Sequence, residues 1–113
     1  DPLEALIEMR RLLRTGGTLL LFVPYEKQRR YRSYNPSEPN HHLFSWNVQT
    51  LCNLTVDAGF RIVSGRMAGY GYDRFAAVQA VRLRLGEGGF RLIRKIGQML
   101  FPLREVRIIA TKA

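Results

Sequence analysis

The opening of the chain constrains its fold more than any other stretch. A helix-period pattern from Asp1 to Arg14 meets Gly16-Gly17 and passes directly into the apolar block Leu19-Leu20-Leu21-Phe22-Val23, closed by Pro24. Asp1 can cap a helix by accepting a backbone N–H, and Pro2 suits the first helical position because its missing donor has no partner there. Leu3, Leu6, Ile7 and Leu13, with Met9 beside them, recur at helical steps and make one apolar stripe. Glu4 and Glu8 lie toward the positive end of the helix dipole, and Arg10, Arg11 and Arg14 toward the negative end. The glycine pair supplies a positive-φ stop. The apolar run from Leu19 to Val23 predicts a strand buried on both faces of a parallel sheet. The alternative is a surface helix beside an edge strand. A helix–turn–strand unit of this kind normally follows strands that carry a ligand site, so the chain reads as the back half of an α/β protein.

With 113 residues, the chain is expected to be a single domain that buries roughly 65% of its unfolded surface. An apolar share of 46% argues against global disorder. The lone cysteine, Cys52, has no disulfide partner and no Cys/His spacing around it, and reads as a structural thiol. No apolar stretch is long enough to span a bilayer and no signal-peptide pattern opens the chain, so a cytoplasmic location is expected. The net charge of +9 admits nucleic acid or an anionic membrane surface as partner, so a small basic binding module without catalysis is the alternative functional reading. The cations are mostly arginines scattered along the chain, which weakens the case for a phosphate track.

After Pro24 the character changes to a polar, aromatic and basic loop over residues 25–42. Loops of this length in compact domains are functional or disordered, and the three tyrosines and two histidines favour function. Ser45 or Asn47 can cap the next helix, whose apolar face is Val48, Leu51, Cys52, Leu54 and Val56 and whose end is Gly59. Phe60–Val63 reads as a second strand, followed by a glycine-punctuated loop that holds Gly65, Gly69, Gly71, Tyr70 and Tyr72. Two amphipathic helices are predicted over 73–85 and 89–101. Phe75, Val78, Val81 and Leu85 form the apolar side of the first; Phe90, Ile93, Ile96 and Leu100 form that of the second. Gly86-Glu87-Gly88-Gly89 is the hinge between them. Residues 105–112 read as a final strand.

This order of elements resembles the C-terminal half of a class I S-adenosylmethionine-dependent methyltransferase. The resemblance rests on the Asp-Pro helix, "LLRTGGTLLLFVP", "NLTVDAGFRIVSG" and "EVRIIATKA". It implies an α/β fold: a partial Rossmann-like sheet with elements like the family's fifth, sixth and antiparallel seventh strands, the antiparallel one in the middle, and flanking helices. Residues 73–101 look like a family-variable two-helix insertion. The family binds its methyl donor through a Gly-rich turn after its first strand and an acidic residue ending its second. No residue of this chain matches either. Gly65, Gly69 and Gly71 lack the dinucleotide register. No cofactor-binding residues are therefore assigned, and the chain alone is expected to be inactive and not to bind S-adenosylmethionine tightly.

Ligands of open α/β sheets sit beyond the carboxyl ends of the parallel strands. That directs the 25–42 loop to the methyl acceptor, which the resemblance leaves undefined as an O or N nucleophile. His41 and His42 are the catalytic candidates, since an imidazole can take the acceptor's proton near neutral pH. Tyr25, Tyr31, Arg32 and Tyr34 are substrate-binding candidates from the loop, and Tyr70 and Tyr72, with Arg74, from the segment after the second strand. No metal site is assigned, because adjacent histidines on an extended segment point apart. Phe44 and Trp46 read as a hydrophobic staple at a helix start. The helices at 73–101 either cover the acceptor or present a solvated basic face, and Arg91, Arg94 and Lys95 opposite an apolar stripe admit a peripheral membrane role. The exposed sheet edge invites self-association.

Overall fold

The computed structural model describes residues 1–25 and 32–113. Seven elements follow one another: α1 (Pro2–Leu12), β1 (Thr18–Pro24), α2 (Val48–Asp57), β2 (Phe60–Tyr70), α3 (Asp73–Arg82), α4 (Gly86–Leu100) and β3 (Leu103–Lys112). The three strands form one antiparallel sheet in the order β1-β3-β2, so the last strand in sequence is the central one in space. This α/β architecture and strand order are those expected from the sequence. The chain divides into two compact units, Asp1–Met67 with Val106–Ala113, and Ala68–Glu105.

The first unit is built from local signals that the structure realises closely. The Asp1 carboxylate accepts from the backbone N–H of Leu3 at 2.8 Å, and Pro2 opens α1. Leu6 is buried, with Leu3 and Leu13 packed beside it, whereas Ile7 and Met9 are exposed. The buried stripe is therefore narrower than the sequence pattern suggested. Gly16 alone takes the positive φ, at 76°. The turn is fastened by β3: Gly16 N–H donates to Lys112 O at 2.8 Å, and Lys112 N–H to Gly17 O at 3.0 Å. Lys112 Nζ also donates to Leu13 O at 2.7 Å, placing a cation where the helix dipole is negative.

Asn47, not Ser45, caps α2, through a reciprocal box. Thr50 N–H donates to Asn47 Oδ1 at 2.9 Å and Asn47 N–H to Thr50 Oγ1 at 3.2 Å. Leu51 faces the core, but the helix turns Thr55 inward in place of Val56, which is exposed. The Thr55 hydroxyl is fully buried and donates to Leu51 O at 2.7 Å, which removes the cost of an unpaired polar group. Arg10 Nε joins the two helices by donating to Gly59 O at 2.9 Å.

The core lies between α1, α2 and one face of the sheet. Val106, Ile108 and Ala110 of β3 are fully buried, with Phe60 and Ile62 on one side and Leu19, Leu21 and Val23 on the other. The expectation that β1 is buried on both faces is not met. Leu20 is 60% exposed and Phe22 55%, because the helices of this core pack on one face only. β1 is thus a half-buried edge strand, with the Arg107 guanidinium 5.5 Å from the Phe22 ring centre on the open face.

β2 runs on to Tyr70, so Gly65 and Gly69 lie within a strand and not in a loop. Gly65 allows close approach to α2: a Cβ there would stand 2.5 Å from Cys52 Sγ. Cys52 is half-buried, and burial pushes its thiol above the ordinary value, consistent with a packing role.

In the second unit the hinge glycines belong to the first turn of α4, and the break falls at Leu83-Arg84-Leu85. A Cβ on Gly89 would collide with that of Leu85, which explains glycine at a helical position. Ala76 and Ala80 are the buried side of α3, while Phe75, Val78, Val81 and Leu85 are exposed, contrary to the sequence reading. Small residues face inward because α3 and α4 pack closely against each other. No helix among the described residues is long and apolar enough to cross a membrane.

Gly65→Ala is expected to lower unfolding stability by about 1–3 kcal/mol through overpacking. Cys52→Ala in the same chain should recover most of that loss. A urea-denaturation double-mutant cycle checks it; additive effects would remove the steric account.

Candidate functional site

Residues 32–45 follow the carboxyl end of β1 and enclose an open cavity of about 730 Å³. Their fold begins with Asn35-Pro36-Ser37-Glu38, a turn in which Ser37 N–H donates to Asn35 Oδ1 at 3.0 Å and Glu38 N–H to Asn35 O at 3.2 Å. This is the Asx chemistry that asparagine before proline favours. Glu38 then organises the second half. Its Oε1 accepts from Asn40 N–H at 2.9 Å, and its Oε2 from His42 N–H at 3.4 Å. The Asn40 bond is the chief reason that the Glu38 carboxyl is held below its ordinary value; the His41 and His42 amides and the His42 charge add to it.

Wrapping the backbone around one carboxylate forces a tight bend. His41 sits at φ 47°, in the left-handed region that few side chains adopt. The bend places His41 and His42 in the lining together with Arg32 and Tyr34. Tyr34 is 90% exposed, so its ring is open to a ligand. At the far end, Phe44 and Trp46 stack with ring centres 5.9 Å apart at 13°. Trp46, just before the Asn47 cap, packs with Leu51 in the core, as a staple does, and Phe44 extends that apolar surface to the cavity.

The sequence-predicted residues divide accordingly. Arg32, Tyr34, His41 and His42 line one cavity. Tyr25 packs against the core at the end of β1. Tyr31 lies outside the described residues. Tyr70 ends β2 and Tyr72 precedes α3, both in the second unit. Tyr72 takes a left-handed conformation at φ 67° and donates its hydroxyl to Phe101 O at 2.5 Å, so its phenol ties the start of α3 to the end of α4. Glu38 was missed as an organising residue. The signal for it was the run Asn35-Pro36-Ser37-Glu38-Pro39-Asn40, whose two prolines and two asparagines mark consecutive turns with one carboxylate between them.

The arrangement gathers an arginine, a tyrosine and two histidines around an open, partly apolar pocket. It suits a neutral or anionic ligand with an aromatic or apolar portion and a protic group to be held. Among the described residues no three His, Cys, Asp or Glu side chains gather as a metal set. No protein-family model matches the chain, and no curated protein matches it significantly.

The Glu38 carboxylate favours the folded loop above its unfolded titration range, and that contribution is lost as pH falls through its depressed folded value. The Asn40 amide proton shift, followed by NMR, should therefore titrate with a midpoint below that of an ordinary glutamate. Glu38→Gln should abolish the transition.

Proposed function

We propose that this chain is the acceptor-side portion of an S-adenosylmethionine-dependent methyltransferase, transferring a methyl group to an oxygen or nitrogen of an acceptor bound at residues 32–45. The observation that carries the reading is the strand order β1-β3-β2, with the last strand antiparallel between the other two. It combines with a helix, a glycine turn and a strand at the start of the chain and a capped helix ending Ala58-Gly59-Phe60. In that frame the segment after β1 meets the acceptor, and it is this segment that presents Arg32, Tyr34, His41 and His42. One imidazole accepts the proton of the acceptor hydroxyl or amine, while Arg32 and Tyr34 hold the acceptor.

The residues present do not fit the methyl donor. Gly65 and Gly69 are inside β2 and open no cradle into a helix. The donor's site accordingly belongs to residues outside these 113, and the chain by itself is inactive. Calorimetric titration should give no micromolar binding of S-adenosylmethionine by the 113-residue chain. With the full reading frame expressed, binding should appear. His41→Ala or His42→Ala should then lower kcat by about 10²–10⁴-fold without changing donor affinity. Micromolar binding by the short chain, or unchanged kcat in both variants, would sink the reading.

The open edge of β1 supports self-association of the isolated chain, with Leu20 and Phe22 exposed beside unpaired backbone groups. Sedimentation equilibrium should detect a dimer that Leu20→Lys dissociates; a monomer at all concentrations rejects it.

A further inference from the structure

The second unit carries a surface that acceptor chemistry does not use. Helical projection of α4 divides it into three sectors. Phe90, Ile93 and Gly97 are part-buried, and a Cβ on Gly97 would come within 3.0 Å of the Tyr72 ring. Glu87, Arg91, Lys95 and Gln98 make the polar arc. Between them runs a third sector, Leu92, Ile96, Met99 and Leu100, at steps that align them along one side of the helix. Leu92 is 60% exposed, Met99 74% and Leu100 67%. Phe101 and Leu103, just past the helix end, are exposed as well.

The orientation of that sector within the unit is fixed. Tyr72 holds Phe101 O, Gln98 Nε2 donates to Gly71 O at 3.2 Å, and Arg94 Nη1 meets Asp73 Oδ1 at 3.2 Å. The exposed apolar side chains are therefore held outward and cannot turn into the α3–α4 contact. Acidic groups in the unit are spoken for as well. Asp73 pairs with Arg94, and Glu87 with Arg91 at 2.6 Å. Arg74, Arg82, Arg84, Lys95 and Arg104 form no ion pair among the described residues. Lys95 borders the apolar sector directly.

From this juxtaposition we propose that α4 docks in the plane of an anionic lipid surface. Leu92, Ile96, Met99 and Leu100 enter the headgroup–acyl boundary, and Lys95 meets the phosphates, within a unit whose excess of cations favours an anionic surface. Charge complementarity selects this occupant: an apolar stripe bordered by Lys95, in a unit whose Arg74, Arg82, Arg84 and Arg104 form no ion pair among the described residues, matches a surface that is apolar below and anionic above. A nucleic acid would satisfy the cations but leave the four aliphatic side chains in water. The helix is amphipathic and lies at the interface; it does not span the bilayer.

Vesicle co-sedimentation of the 113-residue chain is the test, with phosphatidylcholine alone and with phosphatidylcholine and phosphatidylglycerol mixed three to one. Binding is expected to the mixed vesicles only, and to weaken as salt is raised. Leu92→Glu with Met99→Glu should weaken it more than tenfold, and Lys95→Gln by about fivefold. Circular dichroism establishes that the variants fold; if the glutamate pair does not, Leu92→Gln with Met99→Gln takes its place. Three results would each overturn the proposal: equal binding by the wild-type and double-variant chains, absence of binding to mixed vesicles at low salt, or a lipid-free dimer that Leu92→Glu/Met99→Glu dissociates and Leu20→Lys does not. The last would make α4 a contact between copies.

Discussion

The pairing of β3 between β1 and β2 is the constraint on which the first unit depends. Val106, Ile108 and Ala110 are fully buried at its centre, and the other core side chains from two strands and two helices collect around them. Hydrogen bonds between Lys112 and the Gly16–Gly17 turn close the sheet at one end and tie the last residues of the chain to the first helix. The sheet of this core is assembled from contacts between elements distant in sequence, with the final strand pairing both earlier ones. Loop-closure entropy must be met before those contacts can repay it, so the sheet forms only when the final strand arrives.

A sheet with its helical core on a single face has a second consequence. β1 keeps Leu20 and Phe22 in solvent, although its composition is that of a strand covered on both sides. The sequence pattern and the observed burial therefore point in different directions, and the difference is informative. An apolar run of that kind is suited to a strand with a packed layer on each face, and here only one face has one.

The segment after β1 illustrates how a loop gains definition without a core. Its order comes from Asn35 and Glu38, each accepting backbone N–H groups that neither helix nor strand would satisfy. The bend at His41 is the cost, and the gathering of Arg32, Tyr34, His41 and His42 on one cavity is the result. In the second unit α4 is held by Tyr72, Gln98 and Arg94, so its unused apolar sector is a fixed surface and not a frayed helix.

Local chemistry was readable from the sequence because its causes are local. The Asp1 cap, the α2 helix with its end at Gly59, the three strands and their order, and the histidine-bearing loop all follow from residues near one another or from the resemblance they carry. What the sequence left undecided is how much of each apolar pattern is covered. Glycines at 65 and 69 suggested a loop, yet cross-strand pairing carried β2 through them. Bulky side chains on α3 suggested a core, yet close helix packing chose Ala76 and Ala80 and turned Phe75 and Val78 outward. The periodicity of a sequence says which side chains share a face, but burial depends on what packs against that face, and only the tertiary structure supplies the neighbour.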